Sequence, residues 1–404
     1  MLVRNYSYLL LLGFSITVSF FVSKEDSKNL FLVGVMALSP FFLLIEKKRY
    51  DSVDRLMFLF LFLALVVCLM HLGSFRPASY IYTFCFVTSF VFLKSIIQRK
   101  GFTLEFLTKF LRKLIYLYGV ILLIQQFCVL LGIHPILANA FDAENPWKLP
   151  SLTPEPSHLA RFVFFIMYAY VVLREISLKR KYVLKDAKKE IMVWLLYFWL
   201  MMTCGSTTAL LFVFLIFLRY IKLKNVMVSG MFFGFLFVLM QGTFGDNEAF
   251  NRILNLGPAL KTISPEEINA ADHSAAHRIL PIFVFFQWLN PSTVGFWLGN
   301  GMDYGLNWCR EYMYMISGDS NYAGQNVNLG GVTIMFVDYG IIVMGVFISS
   351  LIRFFRNVPD KFLVICWIII NIFSTVNTQL FWFSLLLVLT TSIYTKNIIW
   401  KQEK

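Results

Sequence analysis

The chain has 404 residues, of which 58% are hydrophobic, 18% aromatic and only 15% charged. Soluble proteins carry about a quarter charged residues, so the composition excludes an ordinary soluble domain and predicts an all-α, polytopic integral membrane protein. Lys and Arg outnumber Asp and Glu by 36 to 23, a net charge of +13. No separate basic domain or tail carries that excess, which argues against both a disordered chain and a nucleic-acid partner.

A bilayer crossing needs about 17 to 25 apolar residues. In chain order the candidate runs are 7–22, 29–45, 56–72, 78–97, 114–132, 158–175, 191–203, 207–221, 226–243, 331–352, 360–378 and 380–396, about twelve spans in one polytopic domain over 1–404. The first has Arg4 ahead of it and no small-residue cleavage site after it, so it reads as a retained span rather than a removed signal peptide. Lys and Arg on the connections sharing a side with the termini number 27, against 9 on the other side. That asymmetry places both termini in the cytoplasm. Divided by topology, the net charge becomes +18 inside and −5 outside. The basic excess is then a topology signal first, with contact to anionic membrane lipids as a secondary use.

Two departures from a regular pattern stand out. Residues 191–221 must cross twice around Cys204-Gly205-Ser206-Thr207-Thr208, so the helices are short or the turn sits below the outer surface. A polar turn at that depth is tolerated only against protein or a water-filled cavity. The second departure is a pair of large outer (periplasmic) loops, 133–157 and 244–330, with short helices expected within them. The apolar stretch 279–298 in the second loop, interrupted by Pro281, Asn290, Pro291 and Gly295, reads as a helix lying on the outer surface.

Candidate chemistry gathers on the outer side. The five histidines, His71, His134, His158, His273 and His277, all fall at outer span ends or in outer loops, which suits proton transfer and equally suits a polar boundary. Cys68, Cys85, Cys128, Cys204 and Cys366 lie in or beside spans and Cys309 in an outer loop, a distribution of packing residues rather than a disulfide framework. In Ser151-Leu152-Thr153-Pro154-Glu155-Pro156-Ser157-His158, Pro156 fits the first turn of a helix and puts Glu155 at its N-terminus, either as a cap or as a free carboxylate. Arg161 follows one turn into the span, three residues after His158. An arginine below the surface pairs or lines a cavity. His273 and His277 have helical spacing for a metal, but no HExxH pattern or third ligand accompanies them, so metal, Walker-type nucleotide and D-x-D sites are not expected. Arg278 beside them has the side chain suited to phosphate oxygens.

Four segments in this order resemble bacterial Wzy-type polysaccharide polymerases of the O-antigen polymerase and ligase superfamily: Glu155-Pro156-Ser157 with Ala160; Thr203-Cys204-Gly205-Ser206-Thr207-Thr208-Ala209; Arg278 followed by Leu298-Gly299-Asn300-Gly301; and Phe336-Val337-Asp338-Tyr339-Gly340-Ile341-Ile342. They organise most of residues 150–352. Thr207 stands where many relatives carry an arginine, and Asn326-Val327-Asn328-Leu329-Gly330-Gly331 stands where ligases carry a histidine, which favours polymerase over ligase.

The resemblance implies a metal-independent, cofactor-free glycosyltransferase of the bacterial inner membrane. It would pass a glycan from undecaprenyl diphosphate to a sugar hydroxyl of another lipid-linked repeat unit, with a chain-length regulator protein as a further partner. The leaving diphosphate needs fixed cations, for which Arg278 and Arg161 are the first candidates and Arg252 and Arg76 the supporting ones. The acceptor hydroxyl needs a base; Glu155 is the first candidate and His277 the second. His158 and Asn300 complete the expected substrate-binding set. The alternatives are a ligase acting on lipid A-core and a transporter or flippase of glycan precursors.

Overall fold

The computed structural model describes residues 2–17, 30–46, 50–73, 77–138, 141, 143, 145–219, 258, 264–271, 273–317 and 331–402. Every regular element among them is an α-helix. Four helices are long and apolar enough to cross a membrane: Ser52–Met70, Pro77–Gln98, Leu104–Leu130 and Val332–Arg356. At 1.5 Å per residue they extend about 28 to 40 Å, against a hydrocarbon core of about 30 Å. The chain is thus an all-α membrane protein. The span expected at 226–243, residues 244–257, 259–263, 272 and 318–330 of the second large loop, Arg76 and Arg252 lie outside the described residues.

The described chain divides into two compact units, Met1–Phe102 with His273–Lys404, and Thr103–Asp272. In the first unit, Ser52–Met70 runs along Val332–Arg356, with Phe60 packed on Tyr339 and on Phe347 at centroid distances of 5.4 and 4.7 Å. Trp382 is fully buried beside Phe86 and Phe90. Several elements here are shorter than the apolar runs predict. The 29–45 run is two helices, Leu30–Met36 and Ser39–Ile45, because Pro40 in the first turn of the second lacks the N–H that would continue the ladder. Tyr6 Oη donates to the Val35 carbonyl at this break, and Ser39 Oγ bonds Ser89 Oγ. The 360–378 run is helical only over Lys361–Asn371; Asn371 turns its amide back to the Trp367 carbonyl and to Ser384 Oγ.

The second unit is built around the helix Pro156–Leu178, buried without interruption from Leu159 to Leu173. Leu104–Leu130, Ile191–Thr203 and Thr207–Leu218 pack around it. The last two, with 13 and 12 residues, are about 20 and 18 Å long, too short to cross singly. The turn between them meets protein: a Cβ on Gly205, whose φ is +73, would come within 3.1 to 3.2 Å of Lys148 and the Trp147 carbonyl. Gln126 Nε2 donates to Thr203 Oγ1 at 2.8 Å and Trp199 Nε1 donates to Gln126 Oε1 at 3.0 Å, fixing this hairpin to Leu104–Leu130.

At the opposite end of the unit, Arg180 grips Asp186 with two hydrogen bonds of 2.6 and 2.7 Å. The guanidinium holds the Asp186 carboxyl down at about 2, below its ordinary 3.8, helped by the Val183 N–H. A depressed carboxylate contributes stability above its ordinary value and loses that contribution as pH falls through the folded one. Amide protection in 180–189, taken relative to the intrinsic exchange rate at each pH, is therefore expected to fall between about pH 4 and pH 2, and Asp186→Asn to remove that acid-dependent step.

Candidate functional site

Gln125 is the residue that fixes the end of the first large loop. From the buried face of Leu104–Leu130, its Nε2 donates to the carbonyls of Ile136 (2.8 Å) and Ser151 (3.1 Å), and its Oε1 accepts from Ser151 N–H at 2.8 Å. One side-chain amide thus pairs with a backbone as a neighbouring strand would. Ser151 Oγ adds a bond to the Tyr118 carbonyl at 2.7 Å. Thr153 Oγ1 then lies within hydrogen-bond distance of the carbonyls of Pro150 (2.7 Å) and Glu155 (2.8 Å).

This latch leads directly to Glu155 and Pro156. Pro156 sits in the first turn of Pro156–Leu178 and Glu155 holds the N-cap position, where the sequence places them. The carboxylate of Glu155 makes no capping hydrogen bond. Its Oε1 instead accepts from Ser157 Oγ and lies 3.2 Å from His158 Nε2. The Glu155 side chain is 52% exposed and that of His158 25%, so a carboxylate and an imidazole share one accessible helix end. Such a pair can take a proton and pass it on. Arg161, one turn further, is buried and already engaged within the protein.

Replacing Gln125 by Leu would leave the Ser151 N–H and two carbonyls without these bonds. At about 1 to 3 kcal/mol per unsatisfied buried group, we expect a loss of about 3 kcal/mol and faster amide exchange concentrated in 148–155. Unchanged exchange there would show that the latch does not hold the segment.

In the other unit, two of the sequence motifs form one structure. The helix Val332–Arg356 breaks at Gly340, at φ 73 and ψ 169. A break strips the preceding carbonyls of their helical partners, and the Leu298-Gly299-Asn300-Gly301 turn supplies replacements: Asn300 N–H donates to the Val337 carbonyl at 3.2 Å and Gly301 N–H to that of Asp338 at 3.1 Å. The two glycines permit the approach. A Cβ on Gly299 would fall 2.3 Å from the Asp338 carbonyl oxygen, and one on Gly340 2.3 Å from Gly299 N.

Asp338 reaches across this junction to accept from Gly305 N–H (2.7 Å) and Asp303 N–H (3.3 Å), capping the helix Tyr304–Ser317 from another element. Asp303, at φ 68, accepts from Ser79 Oγ at 2.6 Å. His71 Nε2 lies 3.2 Å from the Gly299 carbonyl and donates to it in the Nε2–H tautomer. Burial, with the nearby Asp338 charge, pushes the Cys309 thiol up to about 12, so it behaves as a packing group.

The expected site residues separate accordingly. Glu155, His158 and Arg161 share one helix. Asn300 gives its Nδ2 to the Val337 carbonyl at 3.0 Å, which commits that end of its amide to the fold rather than to a glycan. His277 and Arg278 are consecutive residues of the helix His273–Trp288. That helix corrects the expectation of one continuous helix over 279–298: it begins at His273, accommodates Pro281, and ends at Trp288. Asn290-Pro291 then forms a turn before a separate Val294–Leu298 helix, whose N-cap Thr293 accepts from Phe296 N–H. Trp288 and Phe296 bury themselves against Val337.

Sequence reasoning assigns no role to Gln125, Asp303 or Ser79, places His71 only among the outer-side histidines, and reads Asp338 only as part of a motif. Gln125 carries one visible signal, as one of two adjacent amides, Gln125 and Gln126, inside an apolar run. Among the described residues no group of three or more His, Cys, Asp or Glu side chains is arranged to hold a metal ion.

The chain matches no protein-family model, no curated protein and no solved structure.

Proposed function

We propose that the chain is a Wzy-type polymerase of lipid-linked oligosaccharide repeat units, set in the bacterial inner membrane with about twelve spans, cytoplasmic termini and a periplasmic active face. The observation that carries this reading is the exposed Glu155–His158 pair on a latched helix end, where the carboxylate makes no capping hydrogen bond. The ordered motifs from Glu155 to Gly340 give it its class.

In this mechanism Glu155 takes the proton of the acceptor sugar hydroxyl as that oxygen bonds to C1 of the donor glycan. The bond from C1 to the diphosphate oxygen breaks and undecaprenyl diphosphate leaves with the electron pair. His158 holds the carboxylate in place and can relay the proton outward. Arg278 and Arg161, with Arg252 and Arg76, balance the charge growing on the diphosphate, and His277 is the alternative base. The outer side is net acidic, so phosphate recognition here rests on these few placed guanidinium groups.

The test is Arg278→Ala in a strain lacking the native gene. The variant is expected to insert at normal level and to give only single repeat units on a surface-polysaccharide gel. Normal long chains would remove Arg278 from the mechanism.

A further inference from the structure

We propose that the connection between the helices Pro156–Leu178 and Ile191–Thr203 is a preorganised platform for the headgroups of anionic phospholipids. Residues 174–190 carry three carboxylates, and each is already matched by an arginine. Glu175 pairs with Arg219 at 2.7 Å, Asp186 with Arg180 at 2.6 Å, and Glu190 with Arg174 at 2.5 Å. Lys179, Lys181, Lys185, Lys188 and Lys189 remain, all exposed, and none of them forms an ion pair among the described residues.

The chemistry divides by side-chain type. Guanidinium forks fasten the internal carboxylates, while flexible ammonium groups stay outside as point charges suited to phosphate. The scaffold beneath them is fixed. Tyr182 N–H donates to Glu175 Oε1 at 3.1 Å, Tyr170 and Tyr182 hydroxyls both donate to Glu190 Oε2 at 2.8 and 2.9 Å, and Trp194 Nε1 donates to Tyr182 Oη at 3.2 Å. The Arg219 guanidinium also sits 4.6 Å over the Tyr168 ring.

The occupant is chosen by what surrounds the lysines. Val183, Ile191 and Met192 are exposed at 48, 49 and 55% in the same stretch, and the adjoining helices are apolar. Apolar side chains between cations suit insertion at a membrane surface, with phosphates meeting the ammonium groups. A soluble acidic segment would leave those apolar groups in water. The charge asymmetry puts this face on the cytoplasmic leaflet, where anionic lipid is a standing ligand.

The experiment uses the purified full chain in phosphatidylcholine vesicles at about 0.15 M salt, with spin-labelled phosphatidylglycerol or phosphatidylcholine as the probe. Electron paramagnetic resonance reads the immobilised fraction of each. Since one lysine near an anionic surface is worth roughly a fivefold preference, the wild-type chain is expected to select phosphatidylglycerol by at least about tenfold. The K179Q/K181Q/K185Q/K188Q/K189Q variant should lose that selection, whereas Arg at all five positions should keep it. Gln at the exposed Arg112 and Lys113 should lower it far less than the five substitutions do. The proposal fails if the wild-type chain shows no selection, if the five-Gln variant with unchanged circular dichroism retains it, or if the Arg112/Lys113 control loses as much. Binding of a polyglutamate peptide in place of lipid selection would also overturn it.

Discussion

Glu155→Gln is expected to lower glycan transfer by at least about a hundredfold while leaving the fold intact. A positioned general base contributes roughly 10² to 10⁴ in rate, and glutamine keeps the shape of the side chain while removing its basicity. The structural side of the prediction follows from the same geometry. Glu155 does not cap its helix, and its contacts to Ser157 and His158 lie on an exposed edge where ion pairs contribute little. Thermal unfolding should therefore stay within a degree or two of wild type. His158→Ala should have a smaller effect on rate, about tenfold, because it removes a relay and a positioning contact but leaves the base. A Glu155→Gln protein with normal turnover and reduced stability would show that this carboxylate serves the helix and not the chemistry.

The largest effect on stability is expected at Gly340. Alanine there would place a methyl group 2.3 Å from Gly299 N and 2.5 Å from the Trp297 carbonyl oxygen, backbone atoms that cannot swing aside. Its φ of 73 with ψ of 169 is a conformation open essentially to glycine alone. Strain and overpacking together should cost about 3 kcal/mol or more. Gly299→Ala meets the same junction from the other side, 2.3 Å from the Asp338 carbonyl oxygen, so the double variant should be much less than additive. Gly345 is the control. It lies in the same helix with nothing within 4 Å of an added Cβ, and alanine there should be neutral or stabilising by up to about 1 kcal/mol. Unfolding of the purified variants followed by tryptophan fluorescence reads all four. Wild-type stability in Gly340→Ala would mean that the junction is not a rigid part of the fold.

What could be read from sequence was what is local. Pro156 announces a helix start, and the apolar runs locate Ser52–Met70, Pro77–Gln98 and Val332–Arg356 within a few residues, while the run at 114–132 misses the first ten residues of Leu104–Leu130, where charged side chains lower the hydropathy. The same runs overstate the elements that Pro40, Asn290-Pro291 and Asn371 interrupt, since hydropathy does not register a lost N–H or a side-chain amide turned onto a carbonyl. Pairings between distant segments were not legible at all. Ser79 meets Asp303 across 224 positions, and the Leu298–Gly301 turn fills the break at Gly340. Both glycine motifs were visible as motifs, but nothing in either spacing says that one supplies hydrogen bonds to the other. Gln125 was hidden for a related reason: a buried amide in an apolar helix acquires its meaning only from the Ser151 backbone 26 positions away.

The most direct test of the proposed function is reconstitution of the purified chain with a lipid-diphosphate-linked repeat unit as sole substrate, its products resolved by mass. The account predicts glycans lengthened by whole repeat units with release of undecaprenyl diphosphate, abolished by Glu155→Gln. No covalent change to the substrate, or transfer only when lipid A-core is added, would contradict it.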